Sequence, residues 1–532
     1  MKSHLASNYV IITARTIFDD ARETPKGKRS AANGRFPEND SRSHLLNFLE
    51  SDCACSTPAE RLFESNCACA APSPSLSPCP PIVDQQTAVQ WTGYTRSLSP
   101  TYHLCFDIQG QGGGMAVVND DAYFLLQQFQ TPQSVAAGLQ AAPHKAKAKA
   151  AVDHLIQTGL LRPVTTVATL SQSVANSLTA WLHVTNDCNL RCDYCYIDKT
   201  PDKMALEKGY QAIEAVFRST IKQNLKRVKL KYAGGEATLN FPTVLALHHH
   251  ALQLAIVHGL ELDGVVLSNG VAISDRMIVA LKEAGLRLMI SLDGIGEYHD
   301  GQRPFVNGHG SFEHVERTLN RLSKHQFIPS ISITISQRNL VGLPDVVAYV
   351  LQRNLPFTLN FFRDNACTTS LFDLAYEEDQ IVEAMLNAFR VIETNLPPYS
   401  LLGNVLDLAH LDNSHERTCG VGQSYMVINH KGGVAKCHMA LDEVVAAITD
   451  DDPLQLIQLD QIGIQNLPFS EKEGCRTCEW QTWCAGGCPA LTYRVTGRYD
   501  LRSPNCRIYK TLFPEVLRLE GLRLLKYSGL LQ

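Results

Sequence analysis

Between residues 181 and 362, six short apolar runs rich in β-branched residues alternate with stretches of helical period, and this alternation limits the fold more than any other feature of the chain. The runs are WLHVT (181–185), VKLKYAG (228–234), GVVLSN (264–269), RLMISLD (287–293), SISITIS (330–336) and TLNFF (358–362). Between them lie helix-like stretches such as MALEKGYQAIEAVFRSTI, FPTVLALHHHALQLAIVHG, DRMIVALKEAG and FEHVERTLNRL. Parallel strands need crossovers of about this length, and strands covered on both faces read as continuous apolar runs. The sequence therefore predicts an α/β fold in which a parallel sheet curves into a partial, TIM-like (β/α)6 barrel. Chemistry in such a barrel sits at the C-terminal ends of the strands.

Cysteine usage sets the chemistry. The chain has 17 cysteines in 532 residues, no run of about 18 apolar residues, and no secretory pattern in MKSHLASNYVIITARTIFDD. These features predict a cytoplasmic protein with no membrane partner, in which cysteines serve as metal ligands or catalysts rather than in disulfides. Lys and Arg number 48 against 53 Asp and Glu, which leaves no broad positive field for nucleic acid, so none is expected as a partner.

Directly after the first strand comes Cys188-Asn-Leu-Arg-Cys192-Asp-Tyr-Cys195. Three thiolates on one strand-to-helix loop can hold three corners of a 4Fe-4S cube and leave the fourth iron open. A structural zinc wants a closed fourth position, so spacing favours iron-sulfur without excluding zinc. The loop resembles the CxxxCxΦC element of the radical S-adenosylmethionine (SAM) superfamily, with Tyr194 before the last cysteine. That resemblance implies a radical SAM barrel in which the open iron is chelated by SAM. Its reductive cleavage would give a 5′-deoxyadenosyl radical that abstracts hydrogen. Lys231-Tyr-Ala-Gly-Gly-Glu236 resembles the family's GGE element, so Gly234, Gly235 and Glu236 are expected around the methionyl amine, although Ala237 stands where the family usually has Pro. Ser268 and Asn269, Ser291 and Asp293 close the next two strands and are expected as further SAM contacts, with Tyr194 near adenine.

A second constellation follows. Cys419 is separated by 12 residues from Gly432 and by four more from Cys437; then come Cys475, x2, Cys478, x5, Cys484, x3, Cys488, x17, Cys506. The pattern resembles the SPASM domain of radical SAM enzymes, which carries two auxiliary 4Fe-4S clusters. By that resemblance Cys475, Cys478, Cys484 and Cys506 bind an outer cluster and Cys419, Cys437 and Cys488 an inner one. The upstream eighth cysteine of fully ligated relatives is absent, leaving an open iron or a fourth ligand from Cys367, Asp412, His415 or a peptide thiolate. Two structural zincs on the same thiolates remain the alternative. Anaerobic sulfatase maturases have an aspartate, proposed as catalytic base, after the cysteine matching Cys437; here it is His438, a candidate proton-transfer residue.

Residues 1–99, rich in Ser, Pro, Ala and Cys, are expected to be mostly disordered, with Cys53, Cys55, Cys67, Cys69 and Cys79 incidental or substrate-mimicking. Residues 100–165 read as a small winged-helix-like unit resembling peptide-recognition domains. The barrel is expected at 175–365, a helical linker at 366–415, the SPASM region at 416–510 and a C-terminal helix at 511–532. Asp300, Arg303, Gly308, Gly310 and Phe312 resemble a stretch that follows the fourth strand in SPASM proteins, and Arg303 is a candidate for SAM or a peptide carboxylate. Asn360 to Asp364 would lie at the open end of the barrel. His248-His249-His250 reads as solvated helix surface.

Together these features predict an oxidoreductase-type enzyme with three 4Fe-4S clusters and SAM. It would install a thioether link, a carbon-carbon link or a related oxidation in a ribosomally made precursor peptide, with electrons from a flavodoxin- or ferredoxin-like donor. The competing readings are formylglycine formation, as in sulfatase maturases, and a non-catalytic iron-sulfur or zinc scaffold that binds a peptide.

Overall fold

A computed structural model describes residues 9–14, 83–109, 114–164, 176–365, 367–368 and 372–531. The five N-terminal cysteines and the expected tail from residue 15 to 82 lie outside these residues.

All six expected barrel strands form, at β8 (Ser177–Thr185), β9 (Arg227–Gly234), β10 (Glu261–Ser268), β11 (Arg287–Ser291), β12 (Ser330–Ile335) and β13 (Phe357–Phe361). Each pairs in parallel with its sequence neighbour, and β8 and β13 are not joined, so the barrel stays open. All nine residues of β8 are buried, as a strand covered on both faces requires. The covering helices bury one stripe each. Phe312, Val315, Leu319 and Leu322 form that stripe on the helix Phe312–Lys324, at the spacing of one helical face.

The open edge at β8 is occupied by a strand the periodicity did not reveal. Strand β14 (Tyr425–Ile428) runs parallel to β8, with Thr179 opposite Tyr425 and Leu182 opposite Ile428. Strands β15 (Gly433–Ala435) and β16 (Val444–Ala447) follow antiparallel, giving one sheet of nine strands in the order β13-β12-β11-β10-β9-β8-β14-β15-β16. The expected boundary between barrel and C-terminal cysteine region therefore falls inside a continuous sheet.

The N-terminal unit begins earlier than residue 100. Strands β1 (Ile11–Ile12), β3 (Tyr94–Ser99), β4 (Tyr102–Phe106) and β5 (Met115–Asn119) form one antiparallel sheet, and β2 (Ala88–Gln90), β6 (Gln133–Ser134) and β7 (Arg162–Pro163) a second. Part of the segment expected to be disordered is thus strand, because Ile11 and Ile12 bury themselves by pairing with β5 across more than 100 residues, a contact no local pattern announces. Helices Asp120–Gln127 and Lys145–Gln157 back the sheets. This unit is fastened to the C-terminal region. Trp483 Nε1 donates to the Ile108 carbonyl at 2.8 Å, Phe106 and Trp483 rings lie 4.7 Å apart, and Arg96 pairs with Glu515 at 2.8 Å. Glu515 belongs to the C-terminal helix Cys506–Tyr527, which starts five residues before its expected limit and includes the last cysteine.

The histidine run departs from its expected role. His249 is exposed, but His248 is only 2% exposed and sits 3.2 Å from the Tyr232 hydroxyl. Gly264 makes the room, since a Cβ there would lie 2.5 Å from the His248 ring. A helix that covers a sheet must bury something at that turn, and here it is an imidazole.

Candidate active site

The Cys188–Cys195 loop leaves the C-terminal end of β8 and is pinned on both flanks by backbone. Arg191 N donates to the Pro304 carbonyl at 2.8 Å and Asp193 N to the Gln302 carbonyl at 3.1 Å. On the other flank the end of β9 passes close beneath: Gly235 N donates to Thr185 O at 2.7 Å and Glu236 N to Asp187 O at 2.8 Å. A Cβ on Gly234 would stand 2.3 Å from Thr185 O and one on Gly235 2.4 Å from Asp187 O. The two glycines therefore let the second strand approach the cysteine loop itself.

Glu236, the expected amine acceptor, is held by bonds within the protein. It is 1% exposed, and its Oε1 accepts from Thr238 N at 3.1 Å, Thr238 Oγ1 at 2.6 Å and Ser268 Oγ at 2.8 Å, while Oε2 accepts from Asn269 N at 2.6 Å. Those four bonds nearly exhaust the carboxylate and tie the end of β10 to the end of β9. Asn269, thus fixed, places its Nδ2 2.7 Å from Asn189 Oδ1 and 3.9 Å from Cys188 Sγ. Ser268 and Asn269 are therefore gathered with the first cysteine.

Asp293, completely buried beyond β11, accepts from the Tyr194 hydroxyl at 2.6 Å and from Thr334 N at 2.9 Å, and stands 3.6 Å from Arg303. Arg303 also donates to the Tyr194 hydroxyl. The Tyr194 phenol is thus engaged inside the protein, and burial holds its pKa well above the usual value. Ser291 ends β11 opposite Ser332 and has no side-chain partner among the described residues. Arg303, singled out on its motif alone, belongs to this network, which links the cysteine loop to the ends of β11 and β12.

Cys188 is 7% exposed, and burial raises its thiol while pushing Cys192 up to about 12. Lys199 Nζ lies 2.7 Å from Cys195 Sγ, a partner invisible in the sequence because it stands four residues beyond the motif. Thiols buried this way ionise only beside positive charge, the condition met by metal ligands.

Among the described residues, no group of three or more His, Cys, Asp or Glu side chains is arranged to hold a single metal ion. The C-terminal cysteines stand instead around a shared space: Cys475, Cys478, Cys484 and Cys506 line one cavity with Trp480, Tyr509 and Phe513. The four cysteines expected to act together are brought together. Cys419, Cys437 and Cys488 are all buried, and Asn466 Nδ2 donates to Cys419 O at 2.6 Å and reaches its Sγ at 3.5 Å. Of the suggested fourth ligands, Cys367 is exposed, while His415 packs at 5.7 Å between ring centroids from His410, with its backbone N donating to Thr482 O at 2.8 Å.

His438 follows Cys437 and packs against β8, its ring stacked 4.8 Å from that of Trp181 and edge-on to Tyr196 at 5.6 Å. Its Nδ1 is 3.3 Å from the Tyr425 hydroxyl. Burial, with Arg363 and Lys231 adding repulsion, pushes its pKa down to about 3, so the imidazole is neutral near pH 7. Arg363, just past β13, holds buried Asp407 at 2.6 Å, and Asn365 Nδ2 donates to the Tyr194 carbonyl at 3.1 Å. The segment after β13 is therefore part of the site; Asn360 turns back to Ser332 Oγ at 3.1 Å.

Among the described residues no helix is long and apolar enough to cross a membrane. Residues 182–346 match the model of the Radical SAM superfamily. The cysteine-type anaerobic sulfatase-maturating enzyme of Clostridium perfringens is 23% identical over 330 residues, covering 57% of this chain and 85% of that protein. The antilisterial bacteriocin subtilosin biosynthesis protein AlbA of Bacillus subtilis is 21% identical over 281 residues, 51% of this chain and 57% of that protein. The solved structure of native anSMEcpe with bound AdoMet and Kp18Cys peptide shares the fold at a TM-score of 0.53 and 19% identity, covering 65% of this chain and 99% of that one. The family implies a 4Fe-4S cluster and SAM, and a three-thiol loop flanked by the packed ends of β9 and β10 suits that pair. Residues 182–346 are thus a Radical SAM domain, homologous to that of the anaerobic sulfatase-maturating enzymes and of AlbA.

Proposed function

We propose that the chain is a radical SAM/SPASM enzyme that modifies a ribosomally synthesised peptide, with one SAM-binding cluster and two auxiliary clusters. The observation that carries this reading is the presence of two cysteine groups in one chain: the open three-thiol loop at the end of β8 and the four-cysteine cavity formed by the loops and helices that follow β16. Cys188, Cys192 and Cys195 would hold the first cluster, Cys475, Cys478, Cys484 and Cys506 the outer, and Cys419, Cys437 and Cys488 the inner. When bound, the cluster and SAM supply a one-electron reductive cleavage that yields a hydrogen-abstracting radical.

The protein's own share is positioning. Gly234 and Gly235 bring the end of β9 against the cysteine loop, and Glu236 holds Ser268 and Asn269 beside it. Asp293 and Arg303 clamp Tyr194 so that the loop between Cys192 and Cys195 keeps one shape. The N-terminal unit, fixed to Trp483 next to Cys484, is the candidate peptide-recognition module. A flavodoxin- or ferredoxin-like protein is the proposed electron donor.

Peptide bound to the related structure and the bacteriocin role in AlbA's name support a peptide substrate. Sulfatase maturation is the second reading, favoured by the name of the Clostridium relative. Position 438, where the resemblance to those enzymes expects an aspartate, holds an imidazole boxed by Trp181, Tyr196 and Tyr425, and this weighs against it.

Anaerobic iron and sulfide counting with an assay for 5′-deoxyadenosine tests the reading. About 12 irons per chain, four per cube, and deoxyadenosine that vanishes in Cys192→Ala are expected. Zinc in place of iron after anaerobic reconstitution, or no SAM cleavage at full loading, would leave the scaffold reading standing.

A further inference from the structure

Lys472 is an unusual lysine. It is 1% exposed and among the largest fully buried side chains of the chain. An ammonium taken out of water normally meets a carboxylate, yet no acidic side chain pairs with Lys472 among the described residues, and its Nζ makes one hydrogen bond, to the Ala485 carbonyl at 2.7 Å. Thr418, next to Cys419, donates to the same Ala485 carbonyl at 3.1 Å, and the ionisable side chains near enough to act on Lys472 are Cys475, Cys419, Cys484 and Cys488. Two of these belong to the proposed outer set and two to the inner. Gly486 leaves no slack, for a Cβ there would stand 2.5 Å from Lys472 Cδ, 3.1 Å from its Nζ and 3.3 Å from Cys475 Sγ. The lysine, three residues before Cys475, therefore lies between the two cysteine sets, packed against Ala485 and Gly486 of the turn that joins Cys484 to Cys488.

We infer that Lys472 is an electrostatic bridge between the two auxiliary centres, whose fixed positive charge offsets ligand thiolates of both and raises both reduction potentials. The inference rests on the proposal that these cysteines hold 4Fe-4S clusters. Four thiolates give a cube a net negative charge, and each added electron makes it more negative. A cation in a low-dielectric wall therefore favours the reduced state of whichever centre holds the electron. Because one ammonium faces both sets, its removal acts on the two centres together, whereas a merely packing role would move neither potential. Lys472 is a positioning charge rather than a catalytic residue, since nothing in its surroundings places it against substrate.

The test uses the full chain carrying Cys188→Ala, Cys192→Ala and Cys195→Ala, so that only auxiliary iron is counted, with Lys472 intact, Lys472→Met or Lys472→Arg. Iron per chain is measured, and EPR-monitored redox titration gives both potentials. The expected result is unchanged iron and a fall in both potentials in Lys472→Met, each about tenfold in the reduction equilibrium or ~59 mV for one electron, while Lys472→Arg stays close to the parent. Loss of iron in Lys472→Met with retention in Lys472→Arg would also assign the role to charge. Loss of iron or equal shifts in both variants, a shift at one centre alone, or full iron with unmoved potentials would overturn the bridge. Failure of the parent with Lys472 intact to take up iron would overturn the cluster reading, and the inference with it.

Discussion

Glu236→Gln separates two roles for a residue that sequence resemblance placed against the SAM amine. In the structure the carboxylate accepts four internal hydrogen bonds, three at Oε1 and one at Oε2. An amide can keep its oxygen at the three-bond position, but its NH2 then meets Asn269 N–H donor to donor. Hydrogen bonds to a charged acceptor contribute about 1.5–3 kcal/mol and neutral ones about 0.5–1.5, and an orphaned buried donor costs about 1–3. Easier burial of a neutral group offsets part of the loss, leaving a net cost of ~3 kcal/mol. For a folding unit of the barrel's size that corresponds to a fall of about 6–12 °C in Tm. The assay is thermal unfolding of the metal-free chain, beside SAM binding to the reconstituted one. Unchanged Tm with abolished SAM binding would refute the positioning role and restore the direct amine contact. Unchanged Tm and unchanged SAM binding would refute both.

Other perturbations follow from the same geometry. Gly235→Ala puts a Cβ against two carbonyls of the cysteine loop, Asp187 O and Asn186 O, so cluster-loop iron is expected to fall sharply in reconstitution. Gly259→Ala, at a helix C-cap with φ +63° and open space around it, should cost only about 1–2 kcal/mol and leave iron intact. Burial pushes His248 down to about 4, against about 6.5 in an unfolded chain, so the unfolded state binds more protons between those values. Stability from this group is whole above about pH 6.5 and is lost as pH falls toward 4, by ~3 kcal/mol at the acid end. His248→Gln should flatten the slope of Tm against pH in that window by about one proton's worth, and an unaltered slope would contradict the assignment. Trp483→Phe removes the bond to Ile108 O at a cost of ~1 kcal/mol and should speed proteolytic release of the 83–164 unit; unchanged cleavage kinetics would show that the contact does not fasten it.

Legibility in the sequence followed the range of the interactions. The six barrel strands stood within a few residues of their expected positions because a strand buried on both faces leaves an apolar run between helical periods. The grouping of Cys475, Cys478 and Cys484, which line one cavity with Cys506, was readable because their spacing is local. What escaped was non-local pairing: Ile11 and Ile12 against β5, and β14 against β8, where a four-residue strand carries too few residues to show a period. Side-chain roles at the site also shifted. Glu236 gave no sign in the sequence of its tie to β10, while His248 looked solvated although Gly264 had left space for it. Lys199 and Lys472 gave no signal at all, since a lysine beside a cysteine motif is ordinarily surface.

The ladder between β8 and β14 has a geometric consequence for any reaction involving both cysteine sets. Cys188 hangs three residues beyond the end of β8, and Cys437 follows β15 by two residues. Strands lie about 4.8 Å apart, and their spacing is set by backbone hydrogen bonds rather than by side chains. With β14 between them, β8 and β15 stand two such spacings apart across the sheet, a separation indifferent to substitution along its faces. Because β15 runs antiparallel to β14, Cys188 and Cys437 leave their strands in opposite directions, and only the loops that carry them can vary the distance between them.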